Sequence, residues 1–139
     1  MAREDTGYIL DASALLALMY GETGEATVRQ MLPNAYIHSV NVAEVVRKLV
    51  REGIPDQEAQ AMIEDLGIEV EDTFGFQQAA LVGKFLGTTA HDLGLSLGDG
   101  VCLVMGLFSG STVVTADRVW AKFHGKRFGG KKFQIHLIR

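Results

Sequence analysis

The chain has 139 residues, 47% of them apolar, and a formal net charge of −4. That length suits one domain over residues 1–139 with a core of its own, and that apolar content excludes a disordered chain. A single cysteine, Cys102, excludes an internal disulfide and a zinc knuckle, and no apolar run approaches the roughly 20 residues that a membrane helix needs.

Tyr8-Ile9-Leu10 is a short apolar run that reads as a buried strand. Helical sequence follows from Ser13 to Met19 and breaks at Gly21; a second helix is expected from Glu22 to Leu32, stopped by Pro33. Ala35-Tyr36-Ile37-His38 reads as the next strand. Ser39 is placed to cap a helix carrying Val42, Val45, Val46, Leu49 and Val50, which ends at Gly53. Pro55 suits the first position of another helix, with Ala59, Met62, Ile63 and Leu66 on one face. Ile68-Glu69-Val70 is a short strand, and Phe74 to Leu86 an amphipathic helix. His91 to Gly94 reads as a turn or short helix. Ser96 opens an apolar helix to Phe108, with Asp99 completing a capping box. Thr112 to Thr115 is a strand, a brief helix after Asp117 runs to Gly125, and Gly129-Gly130-Lys131-Lys132 is a loop before the alternating strand Phe133 to Leu137. Strands alternating with helices predict an α/β fold whose parallel sheet is covered on both faces. Cys102, flanked by Val101, Leu103 and Val104, reads as a buried thiol. The opening Met1 to Asp5 is charged and mixed in sign, with no secretory core behind it, so a cytoplasmic protein is expected.

Charge is distributed unevenly. Residues 1–117 hold 17 acids and 6 bases, whereas residues 118–139 hold seven bases and no acid. The basic segment is either a solvated terminal loop or a place for a polyanion. Four acids stand out: Asp11, Glu44, Asp99 and Asp117 each lie at or just inside the start of a helix. In open α/β sheets ligands bind beyond the carboxyl ends of the strands, which is where these positions fall if the first strand is central. Taken singly, Asp99 and Asp117 suit helix capping and Glu44 suits a solvated helix face. Taken together, four carboxylates on one edge repel one another and call for a cation. Oxygen ligands without a Cys or His cluster point to Mg²⁺ or Mn²⁺ rather than zinc.

Four segments carry a family resemblance: Ile9-Leu10-Asp11-Ala12-Ser13-Ala14-Leu15; Asn41-Val42-Ala43-Glu44-Val45; Leu95-Ser96-Leu97-Gly98-Asp99-Gly100-Val101-Cys102-Leu103; and Val114-Thr115-Ala116-Asp117-Arg118-Val119-Trp120. In order and spacing they resemble the four motifs of PIN-domain nucleases, and within that family the VapC-type toxins of toxin–antitoxin pairs. The resemblance implies a three-layer PIN-like sandwich with a mainly parallel central sheet of about five strands. It implies Mg²⁺- or Mn²⁺-dependent endoribonuclease activity, with Asp11, Glu44, Asp99 and Asp117 as the catalytic, metal-binding quartet. It also makes Ser13 and Thr115 the small hydroxyl residues that support the acids or the water at the metal. Gly100 departs from relatives that often carry Ala, at a helix cost of about 1 kcal/mol. The partners implied are an RNA substrate, a small antitoxin protein and a second copy in a homodimer. A groove formed by the apolar faces of Ala14 to Met19 or Val42 to Val50 is either antitoxin surface or core.

In the expected reaction, metal held by Asp11, Asp99 and Asp117 lowers the pKa of a water that attacks an RNA phosphodiester, while Glu44 binds a second metal or orients water. Thr115 either fixes Asp117 or is an ordinary strand residue. Lys122, Lys126, Arg127, Lys131 and Lys132 are candidates for holding RNA phosphates beside the acids. Trp120 and Phe123 read as packing residues, and the four histidines as structural or solvated. The rivals are a PIN domain without catalysis that binds RNA or protein, and a housekeeping RNA-processing nuclease. A haloacid-dehalogenase-like phosphatase fails because the position two after Asp11 is Ser13. A receiver domain fails because the paired acids at the first strand end are missing.

Overall fold

A computed structural model describes residues 7–139; the Met1 to Asp5 run lies outside the described residues. The elements run β1 (Tyr8–Leu10), α1 (Ala12–Tyr20), α2 (Glu25–Met31), β2 (Ala35–His38), α3 (Ser39–Arg51), α4 (Asp56–Asp65), β3 (Glu69–Glu71), α5 (Phe76–Gly87), α6 (Leu97–Ser109), β4 (Thr112–Thr115), β5 (Arg127–Phe128), β6 (Lys131–Lys132) and β7 (Ile135–Leu137). Short 3₁₀ turns cover Leu32–Asn34 and Arg118–Phe123.

The central sheet has five strands in the order β3-β2-β1-β4-β7, and every pairing in it is parallel. Adjacent residues of a strand face opposite sides, and here both sides are apolar. Leu10, Ile37 and Val114 pack under α1 to α4 in one core layer, while Ile9, Tyr36 and Val113 pack with α5, α6, Trp120, Phe123 and Phe133 in the other. That double burial is what makes the strands near-continuous apolar runs. The result is the three-layer α/β sandwich expected from the sequence. Because β1 sits in the middle, the chain turns one way to β2 and the other way to β4, and a crevice opens at the carboxyl end of β1.

Several local expectations shift. The second helix begins at Glu25 rather than Glu22, because Gly24 takes a φ of 101° that leaves the helical path just before it. Pro33 falls inside the 3₁₀ turn instead of ending a helix. The cap of α3 is His38, not Ser39: its Nδ1 accepts from Val40 N at 3.1 Å, and its Nε2 lies 2.9 Å from Thr73 O. Pro55 precedes α4, its ψ of 143° placing it outside the helix. The stretch read as a loop at Gly129-Gly130 is a hairpin, β5 against β6, with Arg127 opposite Lys132. Both glycines have positive φ, 59° and 79°, the backbone that a tight two-residue hairpin turn requires.

Gly100 has a packing reason. A methyl group there would stand 2.8 Å from Leu86 Cδ1 and 3.0 Å from Val82 Cγ1 of α5, so its absence lets α5 and α6 lie close. Trp120, Phe123 and Cys102 are buried, as packing residues should be. The apolar face of α1 is core, with Ala14, Leu15, Ala17 and Leu18 buried. On α3, Val45 and Leu49 are core, whereas Val42 and Val46 open onto a groove of about 700 Å³ shared with α4 and β3.

Candidate active site

The edge at the carboxyl ends of β1 and β4 is built around Asp11. It caps α1, its Oδ1 accepting from Ala14 N at 2.8 Å and from the Ser13 hydroxyl at 2.7 Å, while its Oδ2 accepts from the Thr115 hydroxyl at 2.6 Å. Each hydroxyl is a two-way link. Ser13 Oγ accepts from Ala116 N at 2.9 Å, and Thr115 Oγ1 accepts from Asp117 N at 3.0 Å. With Asp11 N bonded to Val114 O at 3.1 Å, the end of β4 is stitched to the end of β1. Thr115 therefore does more than fill a strand position: it orients Asp11 and fixes the backbone of Asp117.

The other acids come from three further elements. Glu44 stands on α3, where Asn41 Nδ2 donates to its Oε1 at 2.7 Å and to Gly98 O at 3.1 Å. Asn41 is fully buried and so ties α3 to the first turn of α6; its Oδ1 has no partner among the described residues. Gly98 belongs to the same contact, since a methyl group at that position would overlap the Glu44 carboxylate. Asp99 completes the capping box of α6, its Oδ2 accepting from Ser96 N at 2.9 Å while the Ser96 hydroxyl accepts from Asp99 N at 3.1 Å. Asp117 caps the following 3₁₀ turn, its Oδ1 accepting from Val119 N at 3.0 Å.

Electrostatic coupling runs from Asp11 to Asp99 and from Asp99 to Asp117, and Glu44 shares with Asp11 and Asp99 an effect on Cys102. Burial pushes Asp11 up to about 6, against the downward pull of Thr115, Ser13 and Ala14, and Asp99 raises it further. Asp99 is itself raised, first by burial and then by Asp117. The buried Cys102 thiol is raised by burial and by Asp11, Glu44 and Asp99 together. No Lys or Arg makes an ion pair with any of the four among the described residues.

Among the described residues no three His, Cys, Asp or Glu side chains form a ready-made ion cage. Asp99, Asp117 and Glu44 each commit one carboxylate oxygen to a hydrogen bond within the fold. The donor set is all hard oxygen, with no ion pair to a base among the described residues, and that chemistry fits Mg²⁺ or Mn²⁺.

The basic residues of the C-terminal segment are placed differently. Phe128 packs edge-on against Phe108 at 6.2 Å, and Gly129 lies against the same ring. Phe108 is at the far end of α6 from Asp99, about 14 Å away at 1.5 Å per residue. The hairpin bearing Arg127, Lys131 and Lys132, with Lys126 just before it, thus sits toward the opposite end of the sheet. Lys122 lies between the two ends, exposed on the 3₁₀ turn that leaves Asp117. The structure does not gather these five bases around the acids. Three bases that the sequence does not single out share a cleft with one of the acids: Arg47, Lys48 and Arg51 follow Glu44 on α3 and line it together. Their spacing from Glu44 by three, four and seven residues is the signal that marks them in the sequence.

A family model for the PIN domain matches residues 8–126. The chain belongs to the PIN-domain family. The PIN fold seen here is similar to that of DNA-bound VapBC from Salmonella typhimurium (TM-score 0.71, 16% identity, 96% of this chain and 99% of that chain). It is also similar to VapBC2 from Rickettsia felis bound to a promoter DNA fragment (TM-score 0.68, 17% identity, 94% and 97% of the two chains). PAE2754 from Pyrobaculum aerophilum shares the fold at a TM-score of 0.58 and 22% identity, over 84% of this chain and 86% of that one. A comparison with curated protein sequences gave no match. In this PIN domain Asp11 and Asp117 follow the ends of β1 and β4, while Glu44 and Asp99 stand in the early turns of α3 and α6.

Proposed function

We propose that this PIN domain is a Mg²⁺- or Mn²⁺-dependent endoribonuclease that serves as the toxin of a toxin–antitoxin pair. The observation that carries the reading is Asp11: a carboxylate buried at the end of the central strand, held by three donors, raised by burial and by the charge of Asp99, and ion-paired with no base among the described residues. A fold keeps such a cluster when a dication joins it. The VapBC complexes among the structures of similar fold support the antitoxin part of the reading. A cytoplasmic homodimer is the setting in which such a toxin works.

In the cleavage, water attacks the phosphorus in line with the leaving ribose oxygen. A P–O bond forms, the ester P–O bond breaks, and a proton lost by the water is balanced by one gained by the leaving oxygen. A dication bound by Asp11, Asp99 and Asp117, with Glu44 beside them, supplies the positive charge that acidifies the water and offsets the phosphoryl oxygens. Ser13, Thr115 and the Ala14 amide keep Asp11 in one orientation. Asn41 does the same for Glu44, and Asp99 and Asp117 are held by their caps. The test is cleavage of a defined RNA panel with Mg²⁺, with chelator, and with Asp99→Asn. Asparagine still accepts from Ser96 N, so the helix cap survives while the charged ligand is lost; cleavage is expected to disappear with the fold intact. Metal-dependent cleavage retained by Asp99→Asn would remove the basis of the proposal.

A further inference from the structure

We infer that α3 below Glu44 is a track for the phosphates of the substrate RNA, held by Arg47 and Arg51. The inference rests on the nuclease reading above. Glu44, Arg47, Lys48 and Arg51 are spaced by three, four and seven residues, so they share one face of α3. The same residues, with Glu52, line a cleft of about 310 Å³. One end of that stripe is a site acid, and the other end lies two helical turns, about 10 Å, along α3.

The charges in the cleft are not equivalent. Lys48 Nζ pairs with Glu52 Oε2 at 3.1 Å, and Glu52 also accepts from the Tyr20 hydroxyl. Lys48 and Glu52 thereby cancel. Arg47 and Arg51 are exposed and make no ion pair or hydrogen bond with a side chain among the described residues. Arg51 in the last turn also favours the helix dipole, but Arg47 lies a turn earlier and gains little from it. Two unengaged guanidinium groups in the cleft that Glu44 opens onto solve a problem that the site creates. The acids that hold a dication also repel the strand that must reach it, and a forked donor on each of two neighbouring phosphates overcomes that repulsion. The C-terminal hairpin has more bases, yet it packs at the far end of α6, about 14 Å along the helix from Asp99, whereas Arg47 is less than one helical turn from Glu44.

The experiment compares wild type with Arg47→Ala/Arg51→Ala on a single-stranded RNA that the wild type cuts. Steady-state cleavage is measured in Mg²⁺, and binding of the same RNA is measured across a salt series in an Asp99→Asn background. The double variant is expected to raise KM about tenfold with kcat within about twofold. Its salt slope should fall by about 1.4, the loss of two single-strand phosphate contacts. Arg47→Lys/Arg51→Lys should recover most of the salt slope, which a merely structural role would not produce. An unchanged KM and slope would overturn the inference, as would an equal loss from Lys131→Ala/Lys132→Ala. Should the wild type cut no RNA at all, the nuclease reading falls by itself, and the salt series run on an uncut single-stranded RNA still decides the track: an unchanged slope in the double variant overturns it.

Discussion

Thr115, Ser13 and the Ala14 amide all donate to Asp11, yet burial still holds its carboxyl at about 6 against an ordinary 3.8. Between those values the folded chain binds a proton that the unfolded chain has released. Stability therefore falls as pH rises through that window, and the full penalty, about 3 kcal/mol for a gap of this width, is present above it. Asp99 is raised too and acts in the same direction. Glu52 and Glu71 are held below the usual 4.5, chiefly by hydrogen bonds from Tyr20 and Thr73. Their opposite effect is lost only as pH falls below that range. In chelator, urea unfolding is expected to show a more stable protein at pH 5 than at pH 7.5. Asp11→Asn should stabilise the metal-free protein at pH 7.5 by about 2 kcal/mol and flatten the pH dependence. A wild-type chain that gains stability from pH 5 to 7.5 would contradict this account. Asp11 is legible in the sequence because an acid directly after an apolar strand sits at a buried edge, where packing alone would select against it. Asn41 stands in the same motif as Glu44 but gives no sign of its role, because one of its two acceptors, Gly98 O, is 57 residues away.

At the scale of elements, α3 and α6 meet at Gly98. The space that a side chain would fill there is taken by the Glu44 carboxylate. Gly98→Ala adds helix propensity, worth up to about 1 kcal/mol, and removes the room that Glu44 occupies. The variant is expected to keep or slightly raise its Tm while cleavage falls at least tenfold; thermal unfolding alongside an RNA cleavage assay checks both halves. A Tm drop of many degrees would show instead that Gly98 serves packing. Most elements can be read from the sequence, since the strands are apolar runs and the helices carry their own stops. Ser96 and Asp99 even announce the box that opens α6. What escapes is decided at short range by backbone chemistry. Gly24 delays a helix, an imidazole replaces a hydroxyl as a cap, and Gly129-Gly130 folds a hairpin. The position of that hairpin is out of reach altogether, because it depends on Phe128 finding Phe108 and Phe85 in the second core layer.

Across the whole molecule, the sheet order β3-β2-β1-β4-β7 gathers acids that are up to 106 residues apart in the chain. In the proposed site the consequence is negative charge concentrated at one edge of the sheet. A dication that binds only the folded chain offsets that repulsion and adds stability, about 2.7 kcal/mol when free metal is 100 times its dissociation constant. The gain depends on pH, because below about 6 a proton competes with the metal for Asp11. Millimolar Mg²⁺ or Mn²⁺ is therefore expected to raise Tm by several degrees at pH 7.5. The increment should be smaller at pH 5.5 and largely absent in Asp99→Asn, while the Arg47→Ala/Arg51→Ala variant keeps it whole. Differential scanning fluorimetry with and without metal, at both pH values, measures all of these. Equal shifts at the two pH values, or a full shift in Asp99→Asn, would place the ion somewhere other than the edge where β1 and β4 end.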